Sequence, residues 1–180
     1  MSIAAFSVNL GVFYIAWFAC VLWKMPWAVA AAVVAIALHL VWVRPVVGEW
    51  RVVIACSALG VIVDSLLTLA DVFKFQTVGE ADVFGETLAP LWLMALWLVF
   101  ATTLNVSMKP LSNNLVLAGL LGAIMGPFSY WLGLKLDAVS FPLGVPVTLL
   151  LLAPIWAIML PALLSIANRL VTGDSTYESP

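Results

Sequence analysis

The chain has 180 residues, of which 65% are hydrophobic and only 9% are charged, and its formal net charge is −2. Together with a mean hydropathy of +1.18, this composition excludes an ordinary soluble domain and predicts an integral membrane protein with a single domain, residues 1–180. Nucleic acid is excluded as a partner, because the basic residues are scattered singly and form no stripe that could neutralise successive phosphates.

Apolar runs separated by charged residues, prolines and asparagines predict an all-α membrane protein, a single bundle of six transmembrane helices. The predicted helices cover residues 3–23, 26–43, 48–75, 90–108, 114–134 and 142–170, and a polar tail follows at 172–180. Pro26 and Pro90 are expected to begin the second and fourth helices, since proline is tolerated in a first turn. Asn114 offers an N-cap for the fifth helix. The acidic stretch 74–89 is the one substantial loop.

The orientation of the bundle follows from the distribution of its basic residues. An even number of helices places both termini on one side of the membrane. The side of the termini would hold Arg44, Arg51, Lys109 and Arg169, and the other side would hold Lys24, Lys74 and Lys135. The positive-inside rule therefore predicts cytoplasmic termini. No basic residue precedes Lys24, so the first apolar run is expected to stay as a membrane helix rather than act as a signal peptide.

The third predicted helix carries a carboxylate, Asp64, in the middle of an apolar run. Cys56, Gly60 and Thr68 recur around it at intervals of four residues, which on a helix makes one stripe of small and polar side chains facing protein. A charge inside a bilayer is costly and needs partners, which makes Asp64 a candidate functional residue. The alternative is that Asp64 has only a structural role and that its carboxyl group forms hydrogen bonds with neighbouring helices.

Depth along the predicted helices, at about 1.5 Å per residue, places Asp64 about 20 Å from the membrane face that carries the termini. Ser129 and Tyr130 lie at the same level on the fifth helix. These three residues are the candidate catalytic group. A hydrogen bond donated by the hydroxyl of Tyr130 or Ser129 would stabilise the ionised carboxylate, whereas a site without a donor would favour the protonated form. The sequence leaves both states open.

A second polar layer is predicted about 6 to 9 Å from the face that carries the termini. The candidate substrate-binding residues are Asn9, His39, Thr102 and Asn105 in this layer, together with Trp92 and Trp131. Alternatively, the asparagines and the threonine have a purely structural role and form hydrogen bonds between helices. His39 is offset from Asp64 by about 12 Å along the membrane normal, which argues against a direct pair.

The sequence contains no motif that names a reaction, a metal or a cofactor. HExxH, paired cysteines, a phosphate-binding glycine loop and GxSxG are all absent, and a single histidine cannot build a multi-histidine metal centre. Cys20 and Cys56 both fall in apolar spans, where cysteine acts as a small hydrophobe. The cofactor stays unknown and no metal is expected.

Two stretches carry a family resemblance: Phe100-Ala101-Thr102-Thr103-Leu104-Asn105, and Gly126-Pro127 followed by Ser129-Tyr130-Trp131. Together with Asn9, His39 and Asp64-Ser65, they make the chain, from Asn9 to about Pro161, resemble a family of small polytopic bacterial inner-membrane proteins catalogued as a domain of unknown function. Members of that family tend to be encoded beside methyltransferases of the cyclopropane-fatty-acid-synthase type and flavin-dependent oxidoreductases. The resemblance implies a multi-pass inner-membrane protein, with membrane lipid and a lipid-modifying enzyme as partners.

Three functions are compatible with this sequence. The first is modification or handling of membrane lipid or fatty acid at an intramembrane site around Asp64, which predicts a lateral opening. The second is a small-molecule binding or transport module, similar in size to the substrate-capture subunit of a vitamin importer, which predicts a pocket sealed from lipid. The third is a non-catalytic assembly partner of a membrane complex, which predicts a densely packed interior without a cavity at Asp64.

Overall fold

The structure is a computed structural model that describes residues 3–24, 26–42, 48–76 and 88–172. Its helices are α1 Ile3–Trp23, α2 Pro26–Trp42, α3 Glu49–Leu69, α4 Leu91–Leu104, α5 Leu115–Lys135 and α6 Val145–Thr172. This confirms the all-α class. The predicted loop and polar tail fall mostly on residues 77–87 and 173–180, which lie outside the described residues.

Two very short strands lie at one end of the helices. Strand β1, Lys74–Phe75, follows α3, and strand β2, Val139–Ser140, lies between α5 and α6. They pair antiparallel, with Phe75 opposite Val139. The backbone N–H of Gln76 extends this pairing by donating to the carbonyl of Ala138 at 2.9 Å. The strands therefore tie the segment after α3 to the segment that joins α5 and α6.

Four of the described helices are long and apolar enough to cross a membrane, judged by length and composition: α1, α3, α5 and α6. The other two are apolar but shorter, with 17 residues in α2 and 14 in α4. At about 1.5 Å per residue, α4 is about 21 Å long, against about 30 Å for the hydrocarbon core of a bilayer. Six spanning helices are therefore not confirmed. Most side chains of α4 are buried, and this helix packs against α1, α2 and α3.

The helix α3 ends earlier than the apolar run predicts, and Asp64 therefore lies near the end of this helix. Asp71 adopts a left-handed conformation with φ +54°, and the N–H of Val72 donates back to the carbonyl of Leu67 at 3.0 Å. Aspartate is one of the few residues other than glycine that accepts this geometry, so the helix stops there. Asp64 lies only about 8 Å from the end of α3. The prediction of a helix that continues to residue 75 is therefore wrong.

The helix α4 ends at Leu104 instead of near residue 108. The hydroxyl of Thr103 donates to the carbonyl of Phe100 at 2.6 Å, and the backbone N–H of Met108 donates to the carbonyl of Thr103 at 2.8 Å. Such side-chain bonds compete with regular helix geometry. The chain therefore turns into a short 3₁₀ helix, Lys109–Asn113, before α5 begins.

The small-residue face of α5 packs closely on α6. A Cβ added at Gly122 would overlap the backbone oxygen of Trp156, and one added at Gly126 would overlap the Trp156 ring. Ala118 lies buried on the same face. These three residues lie four positions apart on α5, and their small size allows the two helices to pack closely. The close approach also positions the Trp156 indole against Trp97 of α4 and Tyr130 of α5.

Candidate functional site

Asp64 is buried inside the protein, with 1% of its surface exposed. The hydroxyl of Tyr130 donates to its Oδ1, and the indole N–H of Trp97 donates to its Oδ2 at 2.7 Å. The Thr68 hydroxyl donates to the Asp64 backbone carbonyl at 2.9 Å. Each carboxylate oxygen therefore accepts a hydrogen bond from a neutral donor, and we call Asp64, Tyr130 and Trp97 the Asp64 site.

The other predicted hydroxyl is not brought to the carboxylate. Ser129 donates to the carbonyl of Gly126 in its own helix at 2.7 Å, a local bond that serine often makes inside helices. Its side chain lines the cavity beside the Asp64 site. Tyr130 alone supplies the donor from α5.

Trp97 was missing from the predicted site, because tryptophan in a membrane protein is most often an interfacial or packing residue. The sequence does carry a signal for it. Gly60 precedes Asp64 by one helical turn, and a Cβ there would overlap the Trp97 ring. A glycine at this position leaves space for a large side chain from the neighbouring helix α4.

Aromatic rings surround the two donors. Trp97 and Trp156 stack with their ring centroids 5.9 Å apart and an interplanar angle of 6°. The Tyr130 ring lies 5.0 Å from Phe73 and 6.3 Å from Trp156, measured between centroids. Phe75, from strand β1, lies 6.5 Å from Tyr130. The rings fix the directions of the hydroxyl and the indole N–H toward the carboxylate.

A cavity of about 380 Å³ lies next to the Asp64 site, between α1, α4, α5 and α6, and we call it the cleft. Its size falls in the range of small-molecule sites, about 300 to 1,000 Å³. Its lining extends from Met108 and Leu111 at one end to Phe75 and Val139 at the other. Among the described lining residues, Asp64 is the only one with a charged side chain. The cleft is a long apolar space with one acid in its wall.

The cleft reaches the outer surface between α1 and α5. In the described part of the chain, α1 packs on α2 and α4 while α5 packs on α6, and α1 and α5 make no extensive contact. Tyr14 and Phe18 of α1, and Met125 and Phe128 of α5, line the cleft and are also exposed. A bilayer around the helices would therefore meet the cleft from the side.

The two tryptophans of the predicted substrate-binding set lie in different places. Trp92 lines the cleft, and its indole N–H donates to the carbonyl of Gln76 at 3.1 Å. Trp131 is partly buried but does not line the cleft. The ammonium of Lys135, one turn later, lies 5.6 Å from the Trp131 ring centroid. Residues one position apart on a helix point about 100° away from each other, so Trp131 diverges from Tyr130.

A second buried network joins α1, α2, α3 and the end of α4. His39 Nε2 lies 3.2 Å from Oε2 of Glu49, and His39 Nδ1 lies 3.3 Å from the side-chain nitrogen of Asn9. That nitrogen also donates to the backbone carbonyl of Thr102 at 3.4 Å. The hydroxyl of Ser107 donates to Asn9 Oδ1 at 2.8 Å. The structure thus brings together most of the predicted second layer, and His39 is paired with Glu49 instead of Asp64.

Asn105 lies outside this network. It is buried, and its side-chain nitrogen has no hydrogen-bond partner among the described residues. Glu49 was missed by sequence reasoning, because a carboxylate at the start of a span is expected at the membrane interface. The available signal was His39, a lone buried histidine with two ring nitrogens to satisfy. Within the described residues, no group of three His, Cys, Asp or Glu side chains is arranged to hold a metal.

The four long apolar helices, the buried acid and the lateral cleft define the class: a membrane-embedded, all-α protein with an internal polar site. Within this class, the chain belongs to the family described as "Protein of unknown function (DUF2878)", whose model matches residues 6–162. The matched region contains the Asp64 site, the cleft and the Asn9 network. Neither the curated proteins nor the solved structures contain a match to this chain.

Proposed function

We propose that this protein binds membrane lipid, or its fatty-acid chains, in the cleft and handles or modifies it at the Asp64 site. The observation that carries the proposal is the connection between a buried acid and an opening toward the bilayer. The opening lies between α1 and α5, and Asp64 is the only charged group in the described lining. A lipid could therefore enter sideways without crossing water.

The proposal includes a bundle in which all six helices cross the membrane. The short helix α4 is compatible with this, because α1, α2 and α3 pack around it and separate most of its surface from lipid. The excess of basic residues on the side of the termini favours cytoplasmic termini. The bacterial inner membrane is the location that the family resemblance implies.

Within the site, we assign different roles to the predicted residues. Asp64 and Tyr130 would contact the polar group of the lipid, because their hydrogen-bonded pair lies in the cleft wall. Ser129 and Trp92 would contribute to the wall itself. Asn9, His39, Thr102 and Asn105 do not line the cleft, and we assign them to holding the helices together.

Two other functions are less well supported by this geometry. A capture module for a water-soluble vitamin would need a pocket closed to lipid, whereas the exposed lining residues Phe18 and Met125 face outward from the helices. A purely structural assembly partner would need no cavity beside Asp64. A membrane-associated lipid-modifying enzyme fits the lipid-handling proposal as a partner, since it could exchange lipid at the opening.

The test compares the lipid composition of cells that have the gene with that of cells that lack it. Wild-type protein, Asp64→Asn and Asp71→Asn are each returned to the deletion strain at equal membrane levels. Asp71 is the matched control, because its side chain is 65% exposed and its carboxylate pairs with Lys74 at the surface. We expect the wild type and Asp71→Asn to restore the lipid composition and Asp64→Asn to fail. Unchanged lipids in the deletion strain, or full restoration by Asp64→Asn, would overturn the proposal.

A further inference from the structure

In the part of the chain that the structure describes, no basic side chain forms an ion pair with Asp64. Its two donors, Trp97 and Tyr130, are neutral. The nearest charged neighbours along the chain, Asp71 and Lys74, pair with each other at 3.1 Å. A carboxylate offers about four lone-pair sites, so Asp64 keeps acceptor capacity for a ligand.

The wall beside this acid consists of aromatic rings. Trp97, Trp156, Tyr130 and Phe75 line the cleft and contact one another, with centroid distances between 5.9 and 6.5 Å. Phe100 adds another ring, 6.2 Å from Trp156. Aromatic faces attract cations, and tryptophan does so most strongly. The combination of an acid and several rings therefore favours a positively charged group.

The same wall disfavours an anionic group. The described residues that line the cleft include no lysine, arginine or histidine, and a carboxylate ligand would meet the like charge of Asp64. A free fatty acid with its carboxylate at this site would therefore be repelled. A charged lipid head group at the Asp64 site would therefore be positive, opposite in sign to the carboxylate of Asp64.

The position of Asp64 suits a head group and the remainder of the cleft suits a tail. Asp64 lies about 8 Å from the end of α3, a distance that a lipid head group can reach from the interface. Below it, the cleft continues past Phe100 to Met108 and Leu111 through apolar lining. An extended chain would run along this space, next to the opening between α1 and α5.

We infer that the cleft binds an amphiphile whose head carries a positively charged nitrogen, a quaternary ammonium or an amine, seated between Asp64 and the rings of Trp97, Trp156 and Tyr130. This inference rests on the proposed function, because it assigns the chemical class of the lipid that enters the cleft. It requires no covalent step.

The experiment measures binding of three probes with the same dodecyl chain to the full-length protein in micelles of a nonionic detergent. The probes are dodecyltrimethylammonium, dodecanol and dodecanoate, and native mass spectrometry measures the bound fraction. We expect the ammonium probe to bind about tenfold more tightly than dodecanol. The desolvated cation is attracted both by the carboxylate of Asp64 and by the faces of the aromatic rings, whereas the hydroxyl of dodecanol carries no charge. Dodecanoate is expected to bind most weakly.

Two variants separate the head-group contacts from the tail contacts. Asp64→Asn should reduce the affinity for the ammonium probe to that for dodecanol and leave dodecanol binding in place. Trp156→Phe, a smaller ring that keeps the apolar wall, should reduce the ammonium preference by severalfold. Asp71→Asn and Trp50→Phe are the matched controls, since both residues are exposed and lie outside the cleft lining. Neither control should change the preference.

The outcomes separate this inference from the proposed function. Equal binding of dodecyltrimethylammonium and dodecanol to the wild type, or tightest binding of dodecanoate, would overturn the cationic head group while leaving a lipid-binding cleft. A preference that survives both Asp64→Asn and Trp156→Phe would also overturn it. Absence of binding by all three probes would overturn the inference and the lipid-binding function together.

Discussion

Gly60 and Trp97 are in direct contact, and this contact allows the indole N–H of Trp97 to donate a hydrogen bond to the buried carboxylate of Asp64. The Trp97 ring occupies the space that a Cβ on Gly60 would fill. From there the indole N–H reaches Oδ2 of Asp64, one turn further along α3, at 2.7 Å. The absence of one carbon atom on α3 thus allows a side chain of α4 to satisfy the carboxylate.

Gly60→Ala should therefore destabilise the protein and disturb the Asp64 site. The added Cβ overlaps the ring, so the indole must move and its N–H must leave Asp64. Overpacking of this kind costs about 1 to 3 kcal/mol. The measurement is the free energy of unfolding in mixed micelles, with tryptophan fluorescence as the signal that reports unfolding.

The matched control is Gly11→Ala. Gly11 lies in α1, and a Cβ added there meets no atom within 4 Å. Alanine is favoured over glycine in a helix by about 0.5 to 1 kcal/mol, so this variant should be as stable as the wild type or more stable. Equal losses in the two variants would show that the Trp97 contact is not the cause.

Gly122→Ala is expected to destabilise the protein more than Gly60→Ala does. At Gly122 the obstacle is the backbone oxygen of Trp156, whereas at Gly60 it is a side chain that can rotate. The helices α5 and α6 would have to separate, which loosens packing along their whole contact. We expect a larger fall in the thermal unfolding midpoint for Gly122→Ala. A smaller fall than for Gly60→Ala would contradict the close α5–α6 contact.

Tyr130→Phe tests the first hydrogen bond of the acid. The variant keeps the ring that packs on Phe73 and removes the hydroxyl that donates to Asp64. An acceptor left without its donor in a buried site costs about 1 to 3 kcal/mol. Tyr14→Phe is the control, because Tyr14 is exposed on α1. The prediction fails if both variants unfold at the same denaturant concentration as the wild type.

Much of the helix pattern could be read from the sequence, because apolar runs in this chain end at prolines, asparagines and charges. Asn114 caps α5 as its position suggests, with Oδ1 accepting the N–H of Leu117 at 3.0 Å. The end of α3 could not be read in this way. Val72 and Phe73 continue the apolar run, while the left-handed conformation of Asp71 has already ended the helix.

The candidate site was only partly predictable for a related reason. Depth along a helix correctly relates Asp64 to Tyr130, because both lie near the ends of helices that run through the same layer. Depth does not give the direction of a side chain, and it therefore treated Ser129 and Tyr130 alike. Trp97 and Glu49 depend on which helices are neighbours, and that information is absent from the spacing of residues within one helix.

The pair of His39 and Glu49 provides the last prediction, a comparison of two double-mutant cycles. Both side chains are nearly fully buried, and Glu49 Oε1 has no hydrogen-bond partner among the described residues. Replacing one member by leucine leaves the other buried without its partner, which costs more than replacing both. His39→Leu and Glu49→Leu should therefore each be less stable than the double variant, with a coupling of about 0.5 to 3 kcal/mol.

The exposed pair Lys74 and Asp71 is the reference cycle. Its side chains are 47% and 65% exposed, and such surface pairs contribute about 0.2 to 1 kcal/mol. The coupling should fall further when salt is added, because solvent ions screen exposed charges. The His39–Glu49 coupling should persist in salt, since the protein shields it. If both cycles gave the same small, salt-sensitive coupling, the network around Asn9 would be accessible to water and would not hold α1, α2 and α3 together.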